Sequence, residues 1–131
     1  MSGIRISELA VGGDVRGFSF AMPPEVFDFV GSVADVHVSS SAPGAVRGNH
    51  YHARKHRAIL ALPGTKWSLH WDEGEGTVAQ RRSFDGSRAV LVLISPGASH
   101  AVRNDGAATL WLVACSSAPY DSAEVKERKV I

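Results

Sequence analysis

An all-β domain is predicted by three observations: short alternating or apolar runs, turn residues that punctuate them at even intervals, and almost no helical periodicity. Strands at such spacing close into a sandwich or a small antiparallel barrel. The chain's 131 residues are enough for one domain with a real core and no need of disulfides or a structural zinc. That domain is expected over 1–131, with its core at about 12–118 and a charged tail at 119–131.

In chain order, residues 4 to 9 read as an edge strand, and Gly12-Gly13-Asp14-Val15-Arg16-Gly17 as a turn feeding the alternating stretch Phe18 to Ala21. Pro23-Pro24 stops that stretch. The segment Glu25 to Val30 fits either a short helical turn or a strand packed on the core. Val33 to Ser40 alternates, with Asp35, His37 and Ser39 on one face and Val36 and Val38 on the other, so one face is wet. A Ser-Ala-Pro-Gly loop then leads into the strand Arg47-Gly48-Asn49-His50-Tyr51-His52. Ala58 to Leu62 is apolar and ends at Pro63-Gly64, while Thr65 to Trp71 alternates and turns at Asp72-Glu73-Gly74 to form a hairpin. Four further strands are expected in Gly76 to Phe84, Ala89 to Ser95, His100 to Arg103 and Ala107 to Cys115. Trp67, Trp71 and Trp111 read as core or dimer packing, His37 and His70 as ordinary sheet residues, and Arg81-Arg82 and the charged tail as solvated surface.

A formal charge of +1, with acids and bases mixed, provides no basic stripe for nucleic acid or an anionic membrane. The one cysteine, Cys115, has no intrachain partner and is expected to pack as a small apolar residue. No apolar span reaches the roughly 18 residues of a membrane helix, and Met1 to Gly13 lacks the pattern of a signal peptide, so a cytoplasmic location is the expectation.

The chemistry gathers on histidines. Side chains on a strand alternate with a period of two, so His50 and His52 share a face and can grip one ion or one substrate. If strand pairing brings His100 beside them, three imidazoles converge in a set suited to Zn, Fe, Mn or Ni, with positions left open. His56 has the same parity as His52 and is expected on that face or at the pocket rim.

Gly44, five residues, His50, Tyr51, His52 and the later Gly64 match the opening and close of a G-x5-H-x-H…E-x6-G motif, and Gly97, His100 and Asn104 match a G-x2-H-x3-N motif. Together these resemble the paired motifs of the cupin superfamily, over about Gly12 to Ala118, which implies a double-stranded β-helix, the cupin jelly roll. The chain departs from that pattern in two places. Ser95 stands where the second motif has proline, and Arg57 stands where the first has its acidic metal ligand. A guanidinium cannot ligate a cation, so any divalent metal would rest on His50, His52 and His100.

Arg47-Gly48-Asn49-His50-Tyr51-His52 resembles the nucleotide-sugar cupins: the dTDP-4-dehydrorhamnose 3,5-epimerases, the dTDP-sugar 3,4-ketoisomerases and the cupin half of capsular polysaccharide reductase-epimerases. Asp14-Val15-Arg16-Gly17 resembles an Asp-x-Arg-Gly strand of the same group. The resemblance implies proton transfer next to the ketone of a 4-keto nucleotide sugar. It makes His50 the base, with His52 orienting it or donating to the enolate, and puts Arg47, His56 and Arg57 around the substrate. Neutral imidazole suits a base at neutral pH, and the planar fork of Arg47 suits a diphosphate or enolate oxygen. Tyr51 faces away by strand parity. Two alternatives stay open: a three-histidine metal enzyme such as a dioxygenase or isomerase, and a non-catalytic binding cupin. A homodimer by sheet extension, using Ile4 to Leu9, is expected because edge strands need covering.

Overall fold

A computed structural model describes residues 3–131. Twelve strands and one short helix follow one another: β1 (Ile4–Leu9), β2 (Gly13–Asp14), β3 (Gly17–Phe18), α1 (Pro24–Val30), β4 (Asp35–Ser41), β5 (Val46–His52), β6 (Arg57–Ala61), β7 (Trp67–Trp71), β8 (Gln80–Phe84), β9 (Ala89–Ile94), β10 (His100–Asn104), β11 (Leu110–Ser116) and β12 (Val125–Glu127). They form two five-stranded antiparallel sheets, in the orders β1-β9-β6-β11-β4 and β12-β5-β10-β7-β8, and a small β2-β3 hairpin. This is the expected all-β jelly roll.

Between the sheets, inward positions interdigitate: Ile59 and Ala61 of β6, Leu69 and Trp71 of β7, Val90 and Val92 of β9, and Leu110 and Leu112 of β11. Trp67 and Phe84 stack with ring centroids 4.4 Å apart at one end of this core. The alternation that predicted β7 holds, since Trp67, Leu69 and Trp71 all lie in the core. A second cluster lies outside the first sheet, where α1 lays Val26 and Val30 over Ala58, Leu91, Leu93 and Cys115. Pro24 at the first helical position starts α1, and Gly31, at φ 77°, ends it. Glu25 to Val30 is thus the helical alternative, and Cys115 packs as a small apolar side chain.

Three expectations need correction. The stretch Phe18 to Ala21 is not a full strand: the hairpin ladder ends at Phe18, with one further bond from Ser19 N–H to Gly12 O, before the chain leaves for the Pro23 stop. Trp111 is not part of the core half of its expected core or dimer set: it faces outward and is about half exposed. The charged tail is not simply solvated: β12 adds to the edge of β5, Glu124 is buried, and Arg128 bonds Asp72 at 2.7 Å while its guanidinium lies 4.3 Å from the Tyr51 ring centroid. Beyond it, the Val130 N–H donates to Asn49 Oδ1 at 2.9 Å.

That anchoring matters because Asn49 sits in a β-bulge. The β5-β10 register runs His100↔His50 and then Ala101↔Gly48, which leaves Asn49 unpaired at φ 60°. Gly48, at φ 120°, passes so close to His100 that a Cβ there would stand 2.3 Å from its carbonyl oxygen. Only glycine fits.

Candidate active site at the barrel mouth

The interior is apolar at one end and opens at the other into a cavity of about 260 Å³ floored by Ile59, Val102, Leu112 and Ala114 and walled by Arg47, His50, Arg57 and His100. A neighbouring lobe of about 450 Å³ shares His37, His50 and Arg57 and adds Asp35, His52, Lys55 and Tyr120. The wet face of β4 is thus an inner one: Asp35, His37 and Ser39 line these lobes while Val36 and Val38 face out.

Pairing of β10 with β5 sets His100 opposite His50, and His52 lies one alternation further along β5. The three imidazoles converge, with ring centroids 5.1 Å apart for His50 and His100 and 5.4 Å for His50 and His52. One nitrogen from each lies within 4.8 Å of the others. The sequence-predicted triad therefore assembles.

Hydrogen-bond partners assign the tautomers of two rings. His100 Nδ1 donates to the Ala98 carbonyl at 3.1 Å, since a carbonyl only accepts. His52 Nδ1 donates to Glu124 Oε2 at 3.1 Å, and Arg57 Nη1 donates to His52 Nε2 at 3.2 Å. His52 is thereby held between an acid and a base. The Nε2 atoms of His50 and His100 are buried with no hydrogen-bond partner among the described residues. Buried polar atoms left unpaired are rare and mark places where something else is meant to bind.

All three rings are held neutral. Burial, then the Arg57 charge, pushes His52 down to about 4 despite the opposing pull of Glu124. Burial followed by Arg57 and Lys55 lowers His50, and burial followed by Arg57 and His50 takes His100 well below the ordinary imidazole value. Burial works against the ionised form of Glu124, but the backbone N–H groups of Arg54 and Lys55 and its bond to His52 outweigh that and keep the carboxyl acidic.

Arg47 reaches the cavity only because of the bulge. Its odd position on β5 would set it opposite His50 by strict alternation, and the extra residue at Asn49 resets the phase. Much of its fork is already committed, with Nε donating to Ser40 O and Ser41 Oγ at 3.0 Å and Nη2 to Ser40 O at 2.7 Å. Among the described residues Nη1 makes no such bond and is available to a ligand. His56 does not join the site. Its ring packs edge-on against Phe29 of α1 at 5.2 Å, outside the cavity, because the chain crosses from one sheet to the other between His52 and Arg57 and loses strand parity. Tyr51 faces away as expected, under Arg128.

Sequence reasoning missed Glu124, which looked like part of a charged tail, and Lys55, which is 5% exposed yet lines the mouth with Tyr120. Neither belongs to a motif. The one usable signal was Glu124's place as an acid just before the apolar Val125 of a short β-run.

Residues 25–126 match the family described as polysaccharide biosynthesis C-terminal domain. The chain belongs to this family. Among solved structures, a 3'-monoepimerase from Streptomyces bikiniensis in complex with dTDP-quinovose aligns with a TM-score of 0.74 at 25% identity, over 95% of this chain and 69% of that one. A sugar 3,4-ketoisomerase from Thermoanaerobacterium thermosaccharolyticum in complex with TDP aligns at 0.70 with 14% identity, over 94% and 86%. The capsular polysaccharide assembling protein of Staphylococcus aureus aligns at 0.67 with 21% identity, over 75% of this chain but 27% of that one. No curated protein matches the sequence.

Cupin barrels with a His-x-His motif commonly imply a metal. The donor set here satisfies part of that requirement, with convergent nitrogens and outer N–H groups fixed by a carboxylate and a carbonyl. Arg57 breaks the fit. Its N–H group takes the lone pair with which His52 would ligate, and its charge sits where a cation would have to come. As arranged, the site does not suit a divalent ion.

Proposed function

We propose that this chain is a sugar-nucleotide isomerase, an epimerase or ketoisomerase that moves a proton next to the ketone of a 4-keto nucleotide sugar. The observation that carries the reading is the neutral imidazole of His50, its buried Nε2 without a hydrogen-bond partner among the described residues, beside the half-buried Arg57 cation in one cavity. Solved structures of like fold that are an epimerase with dTDP-quinovose and a ketoisomerase with TDP support the substrate class.

In this reading His50 takes the proton from the carbon next to the ketone, and the ketone oxygen becomes an enolate. Arg57 stabilises that oxygen from a fixed, partly dehydrated position, where charge is worth most. His52, clamped by Glu124, holds the Arg57 fork in place. Return of a proton from the opposite face inverts the centre, whereas its delivery to the former carbonyl carbon shifts the ketone, provided the neighbouring hydroxyl passes its proton to the enolate oxygen and becomes the new carbonyl. Tyr120 lines the same lobe and is our candidate to deliver it. Arg47 Nη1 and Lys55 take the diphosphate at the mouth. The low basicity of His50 is offset by stabilisation of the enolate, since only the free-base form can accept a proton.

The same proposal takes the chain as one cytoplasmic domain and as a homodimer. No helix among the described residues is long and apolar enough to cross a membrane. β1 is the last strand of its sheet among the described residues, the place where a second copy would add by sheet extension.

The deciding experiment incubates the protein in deuterium oxide with a panel of 4-keto nucleotide sugars and follows carbon-bound deuterium by NMR. Uptake at the carbon next to the ketone is expected, and no uptake across the panel sinks the reading.

A further inference from the structure

We infer that Arg57 is a built-in replacement for a metal ion, closing a three-histidine site that would otherwise take one divalent transition metal. The inference concerns ion binding alone and stands or falls apart from the reaction proposed above.

Every requirement of such a site except one is met. Three imidazole nitrogens lie within 4.8 Å of one another. His52 and His100 each spend Nδ1–H on an outer acceptor, Glu124 and the Ala98 carbonyl, which leaves Nε2 as the atom carrying the lone pair. Outer partners of this kind fix the ring orientation and raise the donor strength of histidine ligands. His100 is 2% exposed and its Nε2 has no partner, so its lone pair has been dehydrated with nothing to bind among the described residues. Such an atom is costly unless something positive is meant to approach it.

The positive group present is Arg57, which bonds His52 alone and leaves the Nε2 atoms of His50 and His100 unpartnered among the described residues. It enters from the first residue of β6, donates Nη1 to His52 Nε2 at 3.2 Å and is the largest charged influence on all three rings. A guanidinium cannot give up its proton at any ordinary pH, so the block is permanent and does not relax as conditions change. The barrel thereby carries a fixed positive charge in the place of an exchangeable one. Its activity would then be independent of metal supply and insensitive to chelators. The Glu124 clamp serves the guanidinium as it would serve an ion, by keeping His52 Nε2 turned inward as an acceptor.

The test uses tag-free, full-length protein and Co²⁺, whose visible d–d bands report tetrahedral or five-coordinate nitrogen ligation, with calorimetry against Zn²⁺ alongside. The wild-type chain is expected to take up no more Co²⁺ than a variant with His50, His52 and His100 all changed to Ala. Arg57→Glu is expected to bind one equivalent per chain with d–d bands, and His100→Ala on top of it to abolish them. Adding Glu124→Gln to Arg57→Glu should weaken the ion by about 10–100-fold, the usual cost of losing an outer partner. Arg57→Gln removes the charge without adding a ligand and carries the test if the Glu variant does not fold; it should also bind Co²⁺ through the triad. Two results overturn the inference: one equivalent bound by the wild type and lost in the triple variant, or Arg57→Glu and Arg57→Gln that keep the native near-UV circular dichroism and bind no Co²⁺.

Discussion

The two ends of the barrel interior are built by the same strands and differ in almost every physical respect. Along β6 the inward positions run Arg57, Ile59, Ala61; along β10 they begin His100, Val102. One end is Trp67, Leu69, Phe84 and Val90, packed and dry, and the other is the cationic or imidazole side chains of His37, Arg47, His50, Arg57 and His100 around open space. The apolar end supplies the burial that drives folding, at roughly 25 cal/mol per Å² of apolar surface. That surplus lets the other end hold two buried imidazole nitrogens without partners, a burden of about 1–3 kcal/mol each. Substitutions at the apolar end should therefore move stability, and those at the polar end chemistry.

The largest effect on chemistry is expected at His50. His50→Asn should slow deuterium uptake by about 10²–10⁴-fold, the usual contribution of a positioned base, while the thermal midpoint stays near that of the wild type. A fall in stability matching the fall in rate would mean that His50 is structural. At the other end Trp67→Ala should cost about 3–5 kcal/mol in urea unfolding. Trp67 is 1% exposed and stacks on Phe84, and its indole N–H has no hydrogen-bond partner among the described residues, so the loss is one of packing. If that variant lost activity in conditions where it remains folded, the two ends would be coupled and the division false.

Acid should separate the ends next. The folded value of His52 is about 4, below the unfolded imidazole value of about 6.5, so between those values the unfolded chain binds more protons. The stability due to its neutral state is fully present above about pH 6.5 and is lost as pH falls toward 4. His50 and His100 shift in the same direction. Moving from pH 7 to pH 5 should therefore cost about 2 kcal/mol through His52 alone. His52→Gln should shrink that loss, and equal urea midpoints at the two pH values in the wild type would refute the argument.

How much of this was legible in the sequence depended on whether a residue obeyed a period. Alternation gave β7 and its tryptophans, and paired short motifs brought His50, His52 and His100 together before any coordinates. Arg47 was marked for the site, but parity alone would have turned it outward. A single extra residue, Asn49, restores it, and the bulge is held by backbone groups of the C-terminal stretch, which no local pattern connects to β5. Glu124 and Lys55 were hidden for a related reason. Both lie on connecting or terminal segments whose burial is decided by where the sheets place them, and charge alone reads there as solvated surface.

His56 tests the edge of the site with the smallest expected effect. It has the spacing from His52 that strand parity and the ketoisomerase resemblance both favour, yet its ring lies against Phe29 on the outer side of the sheet. His56→Ala should remove one edge-to-face contact, worth about 0.5–1.5 kcal/mol at most when buried and less for a side chain as exposed as this one. Its backbone N–H bond to Ser117 Oγ would survive the change. Deuterium uptake and nucleotide-sugar affinity should match the wild type within about twofold, because nothing of His56 lines either lobe. A tenfold loss of either would show that the loop of residues 53–56 swings inward when substrate binds. The site would then extend past the mouth lined by Lys55 and Tyr120, and the polar end of the barrel would be larger than the resting fold makes it.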